Sequence, residues 1–161
     1  MTRTAIQPAD MPDPRPRYTH AWRVDNTIYA AGQLATDAEG KLVAPNDIRG
    51  QARAAFQNLG RVLEAAGASL RDVVKTTVFI TDMRYREGYH EARQEFYPSD
   101  PPASTLVQVV ALAVPGALIE IEATAVVDAA RSGSLRAASV MKPGSQRREV
   151  IVIIGRQRRR A

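Results

Sequence analysis

Residues 101–127 read PPASTLVQVVALAVPGALIEIEATAVV, and the rest of the chain is arranged around this segment. Its second half, residues 118–127, alternates in hydrophobicity with the two-residue period of a β-strand. Aliphatic residues occupy one face, and the opposite face includes Glu120 and Glu122. Carboxylates two residues apart on a strand lie about 7 Å apart on the same side of the sheet. We therefore predict a strand with one core face and one face that carries the chemistry.

Strands and helices alternate on the N-terminal side of this strand. A hairpin is predicted over residues 21–33, with its turn at Asp25 and Asn26 and its second strand ending at Gly32. Apolar residues spaced three and four apart predict helices, and β-branched runs predict strands. On these grounds we expect a helix over residues 47–66, a strand over 73–80, a helix over 84–97 with Arg93 on its exposed side, and a strand over 105–110.

The order β-β-α-β-α-β-β predicts an α+β fold with two helices packed on one face of a mixed sheet. The other face mixes apolar and polar side chains: Leu118, Val126, Phe79 and Val73 beside Glu120, Glu122, Lys75, Thr77 and Thr124. Such a face is too apolar to stay in water and too polar to form the core of a monomer. We therefore predict a homo-oligomer with clefts between its subunits.

The two ends of the chain differ from its middle. Residues 1–17 are rich in proline, so an extended arm is expected there, with order beginning near Tyr18. Residues 131–161 contain eight Arg, Lys142 and one acid, Glu149, for a charge of +8, so the total of +5 leaves −3 for residues 1–130. We predict one domain over residues 18–130, followed by a basic, poorly ordered tail, and nucleic-acid binding by the domain is not expected.

Composition excludes several classes of site. The chain has no cysteine, which rules out disulfides and thiolate chemistry. Its only histidines, His20 and His90, have no third ligand at a recognisable spacing, so no metal site is expected. No apolar run approaches the ~20 residues that span a bilayer, and no secretory signal is recognisable at the N-terminus. We expect a soluble, cytoplasmic protein.

Several motifs occur together in one order: YTHAW at residues 18–22, IYAAGQLA at 28–35, the helix and strand of residues 51–83, then PPAST and IEIEATAVV. Over residues 18–128 the chain resembles the Rid family of reactive-intermediate deaminases, also called YjgF-like. The resemblance implies a chorismate-mutase-like subunit and a homotrimer with three ligand clefts between subunits. It also implies hydrolysis of the enamine and imine products of pyridoxal-phosphate enzymes to a keto acid and ammonia, without a cofactor.

The resemblance assigns roles to single residues. Glu120, the first glutamate of IEIE, matches the acid that positions and activates water. Tyr18 matches the tyrosine that lines the cleft, and Gly32, between Ala31 and Gln33, matches the backbone that borders it. The hydroxyls of Ser104 and Thr105 are further candidates for substrate binding. The family's Pro-Ala-Arg-Ser motif has no arginine counterpart in residues 101–105, which resembles the arginine-lacking branches.

Two other functions stay open at this point. A trimer of the same fold could bind a small metabolite without catalysis, and the arginines of residues 156–160 could bind nucleic acid or protein. For Glu120 and Glu122 the alternative is a structural role, such as pairing with Lys75 across an interface.

Overall fold

Two helices lie on one face of a six-stranded sheet in the computed structural model, which describes residues 1–127 of the 161-residue chain. The elements in chain order are β1 (Arg3–Ile6), β2 (Ala21–Val24), β3 (Thr27–Leu34), α1 (Ile48–Ala65), β4 (Val73–Ile80), α2 (Arg86–Phe96), β5 (Ala103–Gln108) and β6 (Ile119–Val126). The predicted tail of residues 131–161 lies outside the described residues.

Strand β6 lies inside the sheet, whose strand order is β1-β2-β3-β6-β4-β5. All neighbouring strands are antiparallel except β4 and β5, which are parallel because the crossover through α2 returns the chain in the same direction. The predicted α+β class, the mixed sheet and the packing of both helices on one face are therefore confirmed. No helix in residues 1–127 is long and apolar enough to cross a membrane.

Helix α1 forms the main contact with the sheet, as its apolar spacing predicts. The Asp47 carboxylate caps its first turn by accepting a hydrogen bond of 3.0 Å from the Arg49 backbone N–H. Its apolar stripe, which includes Phe56, Leu59 and Leu63, is fully buried against the sheet. This packing leaves the opposite face of the sheet, here called the open face, without a helix from residues 1–127.

The expectation that order begins near Tyr18 is wrong. Residues Arg3–Ile6 form β1, an edge strand that pairs with β2 in antiparallel register, and Ile6 is buried against the core. Four residues are too few to show a reliable alternation, and the prolines that follow hide the strand further. The pairing partner, and not local pattern, makes this segment a strand.

The prediction for the two faces of β4 is also wrong at one end. Val74 was expected on the core face with Thr76, but Val74 is exposed and Val73 is buried. The register of β4 against β6 shifts between Val73 and Lys75. Such a bulge adds one residue and turns the preceding side chains to the other face.

Helix α2 differs from its prediction in its start and in one residue. The segment begins with a single 3₁₀ turn at Met83–Tyr85 before α2 itself. Arg93, expected on the exposed side, is half-buried, and its Nη2 donates a hydrogen bond of 3.2 Å to the Pro102 carbonyl. It follows Tyr89 by one helical turn and so lies beside the buried stripe.

Candidate functional site

Glu120 lies on β6 and points away from the helices. Its neighbours Ile119 and Ile121 are fully buried on the helix side, so the alternation of the strand places Glu120 and Glu122 on the open face. In the sheet, Glu120 is level with Leu34 of β3 and with Phe79 of β4. A carboxylate at the centre of a sheet is held by strands on both sides.

Gly32 brings the backbone of β3 directly under this carboxylate. The register of β3 against β6 shifts between Ala30 and Gln33, which places Gly32 in a bulge. A Cβ atom at Gly32 would lie 1.8 Å from Oε1 of Glu120 and 2.6 Å from its carboxyl carbon. Only glycine leaves room for the Glu120 side chain here. The structure thus brings together two of the predicted site residues.

The segment of residues 18–20 runs beside the same bulge. The Ala31 N–H donates a hydrogen bond of 2.9 Å to the His20 carbonyl. The Tyr18 ring meets the His20 ring edge-on with a centroid distance of 6.2 Å, and Tyr18 is 53% exposed. Tyr18 therefore presents an open aromatic ring on the segment that borders Ala31 and Gly32.

Gln33 has a structural position within this bulge. The side chain is buried, and its Nε2 donates a hydrogen bond of 3.0 Å to the Ala31 carbonyl. This bond closes a local loop around Gly32. Gln33 therefore braces the backbone on which the Glu120 carboxylate lies.

The surroundings of Glu120 on the open face favour the protonated form of its carboxyl group. Partial burial raises the pKa of the Glu120 carboxyl, and the nearby charge of Glu122 raises it further. Within residues 1–127 neither carboxylate forms an ion pair. The Lys75 ammonium instead donates to Thr105 Oγ1 at 2.8 Å and to the Thr76 carbonyl at 2.7 Å. Pairing with Lys75, the structural alternative for the two glutamates, is therefore not observed within residues 1–127.

Ser104 and Thr105 lie on opposite faces of β5. Thr105 is level with Thr77 and shares the open face with Glu120, whereas Ser104 is level with the buried Thr76 on the helix side. Ser104 lines a cleft beside α2 instead. Within one chain, Ser104 and Glu120 are separated by the sheet and cannot contact the same small ligand.

Two buried amides position the strands of the site, and the sequence analysis did not single them out. Gln51 of α1 donates from Nε2 to the Gly116 carbonyl at 3.2 Å and accepts at Oε1 from the Leu118 N–H at 2.7 Å. Asn58 donates from Nδ2 to the Leu34 carbonyl at 2.8 Å. These bonds hold the start of β6 and the end of β3. The sequence feature that could have identified them is a pair of amides seven residues apart on the apolar stripe of a helix.

The described part of the chain contains no group of three or more His, Asp or Glu side chains that could hold a metal ion. His20 is buried, and its Nε2 lies 2.8 Å from the Pro12 carbonyl. Through this contact, His20 holds the N-terminal segment against the core.

Two helices on one face of a mixed sheet, with a half-buried carboxylate over a glycine bulge on the other face, define a small α+β domain. The sequence model of the family described as Endoribonuclease L-PSP matches residues 8–127, and the chain belongs to this family. The predicted Rid-family resemblance is thereby confirmed.

Relatives in the same family carry a common name. The mouse protein named 2-iminobutanoate/2-iminopropanoate deaminase is 38% identical over 109 residues, which are 68% of this chain and 80% of the mouse protein. The human protein of that name is 35% identical over 126 residues, 78% of this chain and 91% of its own. The crystal structure of RidA from an Antarctic Psychrobacter species is similar with a TM-score of 0.71 and 35% identity, and the match covers 77% of this chain and 99% of that one.

Proposed function

We propose that this protein is a hydrolytic deaminase that converts small enamine or imine compounds to carbonyl products and ammonia. The observation that carries the proposal is the Glu120 carboxylate, half-buried and unpaired in residues 1–127, directly over the Gly32 backbone. Relatives that are 35–38% identical and named imine deaminases support the same activity. The cytoplasm, where pyridoxal-phosphate enzymes release such intermediates, is the proposed location.

The proposed reaction uses one carboxylate as base and then as acid. The Glu120 carboxylate takes a proton from a water molecule as the water oxygen bonds to the iminium carbon, which gives a neutral carbinolamine. The protonated Glu120 then returns this proton to the amine nitrogen, and the carbon–nitrogen bond breaks. Loss of the hydroxyl proton to the departing ammonia leaves a carbonyl compound and ammonium. An acid with a raised pKa suits both transfers near neutral pH.

We further propose that the active form is a homotrimer with its clefts between subunits. The open face exposes apolar area at Tyr29, which is 54% exposed, and at Val107, which is 37% exposed. Phe79, beside Glu120, is half-buried on the same face. Covering this face with further copies removes that area from water and encloses Glu120.

Ammonia release tests the activity directly. A pyridoxal-phosphate dehydratase generates 2-iminopropanoate in situ, and the protein should accelerate its hydrolysis above the buffer rate. Sedimentation equilibrium of the same sample should give three times the chain mass. No acceleration together with pyruvate binding would favour the metabolite-binding alternative, and a monomer at micromolar concentration would contradict the trimer.

The raised pKa of Glu120 has a consequence for the pH profile of the reaction. Since the carboxylate form activates water, kcat/KM should fall as the pH drops through the Glu120 pKa, at a pH above the ordinary glutamate value of 4.5. Glu122→Gln removes the like charge, so the acid limb of the profile should move to lower pH. An acid limb at the ordinary glutamate pKa of 4.5, unchanged in Glu122→Gln, would contradict the assignment of this limb to Glu120.

The raised pKa of Glu120 also makes the free energy of unfolding depend on pH. The direction is opposite to that of a typical ion-paired carboxylate, whose pKa is lowered. The folded state holds the Glu120 proton to higher pH than the unfolded chain does, so stability should fall as pH rises from the unfolded pKa through the folded pKa. Glu120→Gln removes this loss. Urea denaturation of both proteins at pH 4 to 8 should show a smaller decrease for the variant across that window.

A further inference from the structure

A cleft of about 450 Å³ lies on the helix side of the sheet, between α2 and β5. Its lining includes Arg86, Tyr89, Arg93 and Ser104. A second cleft, of about 560 Å³, shares Arg93 and His90 with it and extends to Tyr97. Both clefts therefore meet at the Arg93 side chain.

Arg93 is a cation without a matching anion among residues 1–127. Its Nη2 donates to the Pro102 carbonyl at 3.2 Å, and its Nε is buried with no acceptor in that part of the chain. The three acids on the same helix are engaged elsewhere. Glu91 pairs with Arg49 and Glu95 with Arg53, both of α1, and Glu87 lies 3.7 Å from Arg86. A buried guanidinium donor with no acceptor costs free energy that a bound anion would recover.

Two tyrosine hydroxyls add donors to the same clefts. Tyr89 is 1% exposed and Tyr97 is 9% exposed. The Tyr97 hydroxyl has no hydrogen-bond partner within residues 1–127, and the Tyr89 hydroxyl has only the Ser104 side chain beside it. Burial raises the pKa of Tyr89, and a hydrogen-bonding interaction with the Ser104 side chain and the Arg93 charge oppose this rise. Burial raises the pKa of Tyr97 to about 12. Both hydroxyls therefore stay protonated at neutral pH and can donate to an anion.

We infer that these clefts bind the carboxylate of a small 2-imino or 2-oxo acid, with Arg93 as its anchor. A carboxylate offers two oxygens that match a guanidinium and accept further bonds from hydroxyls. Ser104 lines the smaller cleft and is small enough to leave this space open. The positive charge that residues 101–105 lack is thus supplied from helix α2.

This inference rests on the proposed function and adds to it the residue that binds the carboxylate of the substrate. It also defines which subunits meet in the reaction. Ser104 and Arg93 lie on the helix side at the edge strand β5, whereas Glu120 lies on the open face. A ligand anchored at Arg93 is therefore served by Glu120 of a neighbouring copy in the proposed trimer.

The test is Arg93→Gln, with 2-iminopropanoate hydrolysis and pyruvate titration as separate readouts. Loss of a charge-assisted hydrogen bond to the ligand should raise KM and the pyruvate Kd by about 10- to 100-fold, with little change in kcat. Arg71→Gln, which removes an exposed arginine from the 3₁₀ turn at Leu70–Asp72, is the matched control and should change neither. Ser104→Arg added to Arg93→Gln places a guanidinium in the same cleft and should restore part of the binding.

The outcomes separate the anchor from the activity. Unchanged KM and unchanged pyruvate affinity in a folded Arg93→Gln protein overturn the anchor while the deaminase proposal stands. Pyruvate binding that depends on Arg93 in a protein without hydrolysis supports the anchor and overturns the deaminase proposal. Arg93→Lys keeps the charge, so it should retain more affinity than Arg93→Gln and serves if the latter fails to fold. A wild type that binds no pyruvate also overturns the anchor.

Discussion

Replacing Glu120 with glutamine should lower kcat/KM for 2-iminopropanoate by about 10²- to 10⁴-fold, the usual contribution of a positioned general base. Glutamine keeps the shape of the side chain over Gly32 but cannot accept a proton from water. The fold should survive, because the Glu120 carboxylate forms no ion pair in the described residues and its removal leaves no buried partner unpaired. Ammonia release under steady-state conditions measures the effect.

Glu122→Gln is the matched control for this experiment. Glu122 lies two residues along the same strand and on the same face, but it is level with Thr77 and not beside Gly32. Its replacement should lower the rate at neutral pH by less than about tenfold, because it acts through the field at Glu120 and not on water directly. Activity that survives Glu120→Gln and is lost in Glu122→Gln would exchange the two roles.

Gly32→Ala should lower kcat by about 10²-fold while leaving the protein folded, because a displacement of about 1 Å at a catalytic group has this effect. The new methyl group would occupy the position of Oε1 and crowd the Glu120 Cγ, which lies 2.9 Å from the added atom. The side chain of Glu120 must rotate away, and such a rotation of a side chain on the open face requires no backbone shift. Steady-state kinetics and thermal unfolding together separate the two effects.

The control for this change is another glycine to alanine substitution. Gly60 lies within α1, and a Cβ there would meet nothing closer than 3.9 Å, at Leu70. Gly60→Ala should leave kcat unchanged and stabilise the helix by about 0.5–1 kcal/mol. Full activity in Gly32→Ala would show that the Glu120 carboxylate acts from a different position than the one over the bulge.

The elements that the sequence predicted well are those whose signal is local. Strand β4 has the predicted bounds, and helix α1 follows its apolar stripe to within two residues. The predictions for β1 and for one end of β4 were wrong because the structure there depends on a partner strand. Strand β1 exists because β2 pairs with it, and the outward turn of Val74 follows from a register shift against β6. Neither event leaves a periodic signal in its own segment.

The same distinction between local signals and tertiary contacts applies to the candidate site. The sequence by itself determined that Glu120 and Glu122 face away from the core, because alternation along one strand sets which side each residue takes. Only the tertiary structure decided that the β3 bulge puts Gly32 beneath the Glu120 carboxylate and that Ser104 lies across the sheet from it. Helix packing likewise places Arg93 at a cleft with no counter-ion from residues 1–127. Pairing register and helix packing join residues far apart in the chain, and no local pattern encodes those distances.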